Sequence, residues 1–333
     1  MKAAILEKYN KNGADLVIKD IEIPEPKENE VLVKVYASAV NPLDNMIIKK
    51  EVKLIVNYNT PLIMGNEFAG VVEKVGNKVT KYKQGDRVYA RMPLSKTGTF
   101  AEYLTIDESE ICIIPKYLTF EEATAIPLTA LTAMQSFELL KVEKGKKIFI
   151  TGGTGSFGAM AIPLAKAIGL YVITNGNGES KDRIMKLGAD EYIDYKKEDY
   201  SQKLSNIDYV IDTLGEKELP KEFKILKQGG SLVSLRAMPN GNFAKRMNMP
   251  LLKQIMFKMA GNKYDKLAKK NNQTYDFIFV HSSGKQLEEI SKIFEEKEIH
   301  PSIDKIYSLE EINDALKKIA LGGSQGKTII KIK

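Results

Sequence analysis

The chain has 333 residues, 43% hydrophobic and 28% charged, with 50 Lys and Arg against 43 Asp and Glu. That length accommodates two domains of ordinary size, each with its own core. The formal charge of +7 comes without the dense Arg/Lys stripe, interleaved with aromatics, that a nucleic-acid surface requires. A single cysteine, Cys112, excludes an internal disulfide and any paired-cysteine metal site, and fits a reducing cytosol. No apolar run reaches the length of a membrane span. The opening "MKAAILEKYN" meets Glu7 and Lys8 too early for a signal peptide. The expectation is a cytoplasmic protein with neither nucleic acid nor a membrane as partner.

The first third reads as strands: "VLVKVYA" (31–37), "FAGVVEKV" (68–75), "DRVYA" (86–90) and "AEYLTI" (101–106), with Gly, Pro, Asn and Asp punctuation between them. No long helical period interrupts them, which predicts an irregular, barrel-like β domain. Within it, "GNEFAGVVEKVG" (65–76) sets Asn66 and Glu67 at the mouth of an otherwise apolar strand. At "LTFEEATAIP" the period changes. Thr119 and Glu122 fit a capping box opening a helix toward Leu140.

From there strands alternate with helix-length stretches: "KKIFIT" (146–151), "LYVIT" (170–174), "DEYID" (190–194), "DYVIDT" (208–213), "SLVSL" (231–235) and "YDFIFV" (275–280). Apolar strands alternating with helices predict a parallel sheet covered on both faces. The last fifty residues carry a helix with Leu287, Ile290, Ile293 and Phe294 on one stripe. A second helix opens at Ser308 and Glu311 and ends at Gly322 and Gly323, and a closing strand "TIIKI" follows. This tail is expected to return to the first domain and make it discontinuous. The fold class is α/β, a Rossmann doubly wound parallel sheet plus a discontinuous irregular β-barrel domain. The boundaries are 1–125 with 281–333, around 126–280.

The most informative stretch is "KKIFITGGTGSFGAMAIPLAKAIG", where a strand runs through Gly153, Thr154, Gly155, Ser156, Phe157 and Gly158 into a helix. Gly153 is read as the tight turn, Gly155 as the point where a pyrophosphate approaches the backbone, and Gly158 as close helix–strand packing. The helix N-terminus offers free N–H groups and the positive end of its dipole to phosphates. Pro163 inside that helix is expected to bend it. The alternative is a glycine-rich turn with no ligand.

The next strand ends at Asn175, where a carboxylate would favour NAD by bonding its ribose. The sequence instead supplies Asn177, Ser180, Lys181 and Arg183. Neutral donors with cations suit a 2′-phosphate, hence NADPH, although Glu179 and Asp182 share the loop and cations at a helix start are commonly just solvated.

With a β domain first, a nucleotide domain second and a returning tail, the chain resembles the medium-chain dehydrogenase/reductase superfamily, and within it the zinc-free NADPH:quinone oxidoreductase branch. The resemblance covers essentially the whole chain through "GNEFAGVVEKVG", "GDRV" (85–88), "GTFAEY" (98–103), "PLTALTA" (127–133), the glycine loop, "LGAD" (187–190) and "GK" (326–327). It implies a GroES-like form for the β domain and, by analogy, a homodimer. In zinc-bearing relatives the residue matching Asn66 is a histidine ligand, and cysteine ligands fall at Asn41 and Leu128. None of the three is a zinc ligand here, so no metal is expected.

Without a Lewis acid, hydride delivery to an electron-poor acceptor is favoured over oxidation of a simple alcohol. The acceptor is expected to be a quinone or an α,β-unsaturated carbonyl. Asn41 and Asn66 are candidate donors near the nicotinamide, with Asp44 fixing the neighbouring turn. The resemblance further implies cofactor contacts at Thr132, Tyr195, Leu214, Gly215, Leu235, Phe279 and Val280. A different class of function also fits the glycine loop, an NADPH-binding sensor or scaffold with little turnover.

Three other features stay open at this stage. His281 and His300 read as surface or hydrogen-bonded residues, with a catalytic role for His281 as the sharper alternative. Cys112, among apolar neighbours, reads as an inert thiol. The Met- and Lys-rich stretch from Met238 to Tyr275 is either a lid, with Met247, Met249, Leu252 and Met256 bordering an apolar pocket, or one or two amphipathic helices.

Overall fold

Strands β1 (Lys2–Leu6), β2 (Val17–Asp20), β3 (Glu30–Val40), β4 (Leu62–Ile63), β5 (Glu67–Val75), β6 (Arg87–Arg91), β7 (Tyr103–Asp107) and β8 (Cys112–Ile113) come first in the computed structural model, which describes residues 1–333. Then follow β9 (Lys147–Ile150), β10 (Tyr171–Gly176), β11 (Glu191–Asp194), β12 (Ile207–Asp212), β13 (Leu226–Ser234) and β14 (Thr274–Phe277), and last β15 (Ile303–Ser308) and β16 (Lys327–Lys331). Helices are α1 (Pro42–Ile48), α2 (Phe120–Ala123), α3 (Pro127–Leu140), α4 (Ser156–Ile168), α5 (Lys181–Lys186), α6 (Tyr200–Lys203), α7 (Leu219–Ile225), α8 (Gly241–Arg246), α9 (Leu251–Lys269), α10 (Gly284–Lys297) and α11 (Ile312–Leu321). Two units result, Met1–Leu131 with His281–Lys333, and Thr132–Val280. The first crossing lies inside α3, six residues beyond the position read from the sequence. No helix is long and apolar enough to cross a membrane.

In the first unit, the 11-residue β3 serves two short strands along one edge. Its residues 30–34 pair with β7 and residues 37–40 with β16, while β5 runs antiparallel along the other edge. The sheet order β15-β16-β3-β5-β6-β8 thus draws residues from both ends of the chain into one sheet. A separate three-stranded sheet, β2-β1-β4, adjoins it through an Ala3–Ala101 bridge.

In the second unit all strand pairs are parallel, in the order β11-β10-β9-β12-β13-β14. Counted from β9, this is the 3-2-1-4-5-6 order of a dinucleotide-binding sheet, in which ligands sit beyond the strand ends where the order reverses. The centres of β9, β10 and β12 are apolar (Ile148, Phe149, Ile150, Val172, Ile173, Val210 and Ile211 are all buried), as expected of a parallel sheet covered on both faces.

Local departures from the sequence reading have identifiable causes. The helix expected from Thr119 to Leu140 is two helices. The Thr119–Glu122 capping box forms, but Pro127 disfavours helical backbone before it, so α2 stops and α3 begins at that proline. Helix α4 continues through Pro163. "YDFIFV" is strand only to Phe277, leaving Phe279 and Val280 beyond its end. The short strands β1, β2, β4, β8 and β15 and helix α1 carry too little periodicity to stand out.

Candidate active site

The polar corner at "GNEF" is a closed network in the first unit. Gly65 has φ +102°, and a Cβ there would collide with Thr99 Oγ1, so only glycine makes this entry into β5. Glu67 then gathers donors from three distant segments. Its Oε1 accepts from Asn41 Nδ2 at 2.7 Å and lies 2.6 Å from Lys327 Nζ. Its Oε2 accepts from the Leu128 backbone N–H at 2.7 Å. Lys327 Nζ also donates to Asn41 Oδ1 at 2.7 Å. Asp44, in the first turn of α1, accepts from Asn66 Nδ2 at 2.7 Å and from the Asn41 backbone N–H at 2.8 Å. Asn41, Asp44, Asn66, Glu67 and Lys327 are all buried.

Burial pushes the Asp44 carboxyl up to about 7, against the opposing pull of its Asn41 and Asn66 hydrogen bonds. Arg91, opposite Glu67 in the β5–β6 register, is fully buried. Its Nη1 donates to the Met92 carbonyl, while Nε and Nη2 have no hydrogen-bond partner. Desolvation lowers the guanidinium to about 10.

The sequence reading makes Asn41 a donor to an acceptor molecule. In this arrangement both of its amide hydrogens are committed, to Glu67 and, at 3.3 Å, to the Ala39 carbonyl. Asn41 therefore orients Glu67. Asn66 has one amide hydrogen on Asp44 and a second that this bond does not use. The donor chemistry does not fit a zinc ion. The positions are two amides and an aliphatic residue, and the neighbouring carboxylate already holds an ammonium.

The second unit fits a dinucleotide. The left-handed residue of the turn is Gly152, at φ +67°, and not Gly153. A Cβ on Gly153 would collide with Thr174, and one on Gly158 with Gly153 itself. These two glycines let strand and helix approach. A Cβ on Gly155 would meet only Gly152 O, at 3.6 Å, so Gly155 keeps the approach to the N-terminus of α4 open, as a pyrophosphate needs. Ser156, Phe157 and Gly158 form the first turn of α4, and Thr154 precedes them.

At the end of β10, Asn175 turns back into the loop, its Oδ1 accepting from Gly152 N–H at 2.8 Å. Through this bond Asn175, a cofactor-binding candidate in the sequence reading, anchors the glycine loop. Asn177 Oδ1 accepts from Ser180 N–H at 3.0 Å, capping a 3-10 turn in which Ser180 is buried, and Lys181 is exposed. The cation that reaches the glycine loop is Arg183. Its Nη2 donates to the Thr154 carbonyl at 2.9 Å, and its buried Nη1 has no partner.

Beyond β12, Asp212 Oδ1 accepts from the Leu214 and Gly215 N–H groups at 2.7 and 2.8 Å. Its Oδ2 accepts from Ser234 Oγ, which in turn accepts from the Ala237 N–H. One carboxylate thereby fixes the turns after β12 and β13, and the backbone carbonyl of the same Asp212 accepts from the Leu235 N–H. Tyr195 and Leu214 are exposed, and Phe279 is half-buried. Thr132 and Val280 are the first and last residues of the second unit; both are buried.

Residues 27–116 match the family described as the alcohol dehydrogenase GroES-like domain, and residues 187–330 that described as zinc-binding dehydrogenase. The mitochondrial NAD(P)H oxidoreductase RTN4IP1 of Dictyostelium discoideum is 30% identical, with 100% of both chains covered. The chain belongs to the medium-chain dehydrogenase/reductase superfamily. Within it, the chain falls in the quinone oxidoreductase-like branch. A 2-methylene-furan-3-one reductase of Solanum lycopersicum is 30% identical over 97% of this chain and 77% of its own. The solved quinone oxidoreductase of Coxiella burnetii superposes with a TM-score of 0.83 at 25% identity, covering 100% of this chain and 99% of that one.

This member of the superfamily is therefore an NAD(P)H-dependent oxidoreductase that binds NADPH and acts on a small-molecule acceptor. Sequence reasoning missed Lys327, Arg91 and Asp212 as parts of its machinery. Of the other features left open there, Cys112 is buried, its thiol pushed up to about 11 by burial, and His300 Nδ1 lies 2.7 Å from Glu122 Oε1. The Met- and Lys-rich stretch forms the two helices α8 and α9. Met249 is turned inward, while Leu252 and Met256 face outward.

Proposed function

We propose that the protein is a zinc-independent reductase of quinones or α,β-unsaturated carbonyls with a preference for NADPH over NADH. One observation carries this reading. The position that holds a metal ligand in zinc-bearing relatives is here an amide, Asn66, bonded to Asp44, and the adjacent Glu67 is neutralised by Lys327. Such a corner offers hydrogen bonds and no Lewis acid. That suffices when the acceptor is already electron-poor and its product anion is delocalised.

Bound NADPH supplies the hydride, and the reduced acceptor takes up one proton to balance it. We assign the unused amide hydrogen of Asn66 to the oxygen of the acceptor. Rigid support for that amide comes from Asp44, itself fixed by the Asn41 N–H. Arg183, with its unpartnered Nη1 beside the glycine loop, is assigned to the 2′-phosphate. The quinone and furanone reductases among the relatives support this acceptor class.

The test is an acceptor panel of 1,4-quinones, 2-enals and simple aldehydes with both cofactors, with metal content measured on the same sample. Oxidation of NADPH by quinones or enals in metal-free protein, faster than of NADH, is the expected result. Stoichiometric zinc whose chelation abolishes turnover would overturn it. So would tight NADPH binding with no turnover across the panel, which would favour a sensor or scaffold.

A further inference from the structure

Helix α9 has two apolar faces. Phe257, Gly261, Tyr264 and Ala268 are buried along one side. On the opposite side of the first half, Leu251, Leu252, Ile255, Met256 and Met259 are exposed, with 72, 79, 48, 37 and 75% of their surface accessible. At 100° per residue these five fall within a single arc centred about 180° from the buried stripe. Two turns further on, the same outward face continues as Lys266.

The charge around this stripe is unusual. Residues 241–270 contain eight Lys and Arg against one acidic residue, Asp265, an excess of seven. That equals the formal charge of the entire chain, so the remaining residues are balanced. Arg246 and Lys263 are paired with Asp276 and Glu216. Lys245, Lys258, Lys266, Lys269 and Lys270 are exposed.

We propose that the outward face of α9 docks on an anionic lipid surface, Leu251, Leu252, Ile255, Met256 and Met259 entering the acyl boundary while the flanking lysines meet the headgroups. An apolar stripe bordered by lysines on a helix lying flat is the arrangement that binds such surfaces, and lysine stems reach from apolar depth to the headgroup level. A second copy of this chain is disfavoured, because a two-fold contact would bring two such basic segments together. A folded protein partner fits less well, since the stripe has none of the Tyr, Trp or Arg anchors of protein interfaces and is a convex helix face. The sequence-based expectation of no membrane partner rested on the absence of a span, which a surface-lying helix does not need. The proposal is independent of the acceptor assigned above.

The experiment is co-sedimentation of the full chain with phosphatidylcholine vesicles, with and without phosphatidylserine, over a range of salt. The wild type is expected to bind the anionic vesicles, to release at high salt, and to stay free of phosphatidylcholine alone. The pair L252Q and M259Q, and separately the pair K258E and K266E, should each lower partitioning about tenfold or more. Thermal melts of both variants verify that they fold. A wild type that stays in the supernatant at low salt, or binds both vesicle types equally, overturns the proposal. So does a wild-type dimer in light scattering that L252Q and M259Q convert to monomer.

Discussion

Lys327 Nζ lies 2.6 Å from Glu67 Oε1, and the two side chains expose 3% and 0% of their surface. Neither charge has water to fall back on. Removing one partner strands the other, at a cost of roughly 3–5 kcal/mol. Lys327→Met should therefore lower the unfolding free energy by about that amount, while adding Glu67→Gln should restore a large part of it. Denaturant unfolding of the two single variants and the double variant closes the cycle; additive losses would mean that the pair is not coupled.

Asp44 should give the protein a pH dependence of a definite sign. Burial holds its carboxyl at about 7 in the folded state, against about 4 in an unfolded chain. The folded state keeps a proton that the unfolded state releases across that window. The group's contribution to stability is thus fully present below about pH 4 and is lost as pH rises through about 7. The wild-type unfolding free energy minus that of Asp44→Asn should fall by roughly 1.4 kcal/mol per pH unit from pH 5 to 7 and level off above. A difference that is flat with pH would show that Asp44 is ionised throughout.

Two glycines of the loop, Gly155 and Gly158, should separate by mutation. Gly158→Ala pushes a methyl group into Gly153 and should destabilise the fold by roughly 1–3 kcal/mol. Gly155→Ala meets nothing closer than 3.6 Å and has φ −77°, so its melting temperature without cofactor should hardly move. Its NADPH affinity should drop about tenfold or more, because the methyl group occupies the approach of the pyrophosphate. Calorimetric titration beside thermal melts distinguishes the two outcomes.

Arg183→Gln tests the cofactor preference. A charge-assisted bond to the 2′-phosphate should be lost with NADPH and has no counterpart with NADH. The KM for NADPH should rise about tenfold or more while that for NADH stays within about twofold. Lys181→Gln, at an exposed position, should have the smaller effect. Equal changes for both cofactors would assign Arg183 to holding Thr154 alone.

The nucleotide unit was legible because its signals are local. Apolar runs such as "IFI" and "YVID" alternate with helices, and glycine spacing marks the turn within a few residues, although the left-handed position proved to be Gly152. The polar corner was legible only in part. Asn66 and Glu67 announced it, and "GK" at 326–327 was visible as a family mark. No local pattern says that Lys327 is buried against a residue 286 positions earlier, Asn41. The inward turn of Asn175 likewise depends on packing that a one-dimensional period does not carry, whereas the break at Pro127 is a local effect of that proline, which the helical period alone passes over.

The order in which the chain leaves the ribosome gives the Lys327 strand a further consequence. β3 and β5 emerge early and pair, but the other edge of β3 from Ala37 to Val40 has no partner until β16 arrives. Until then Glu67 has no ammonium beside it. Synthesis can complete the whole of Thr132–Val280 while the first unit still waits for its last strand. A chain interrupted before residue 327 would hold a complete nucleotide unit and a first unit lacking β16, with the Glu67 carboxylate left without its ammonium.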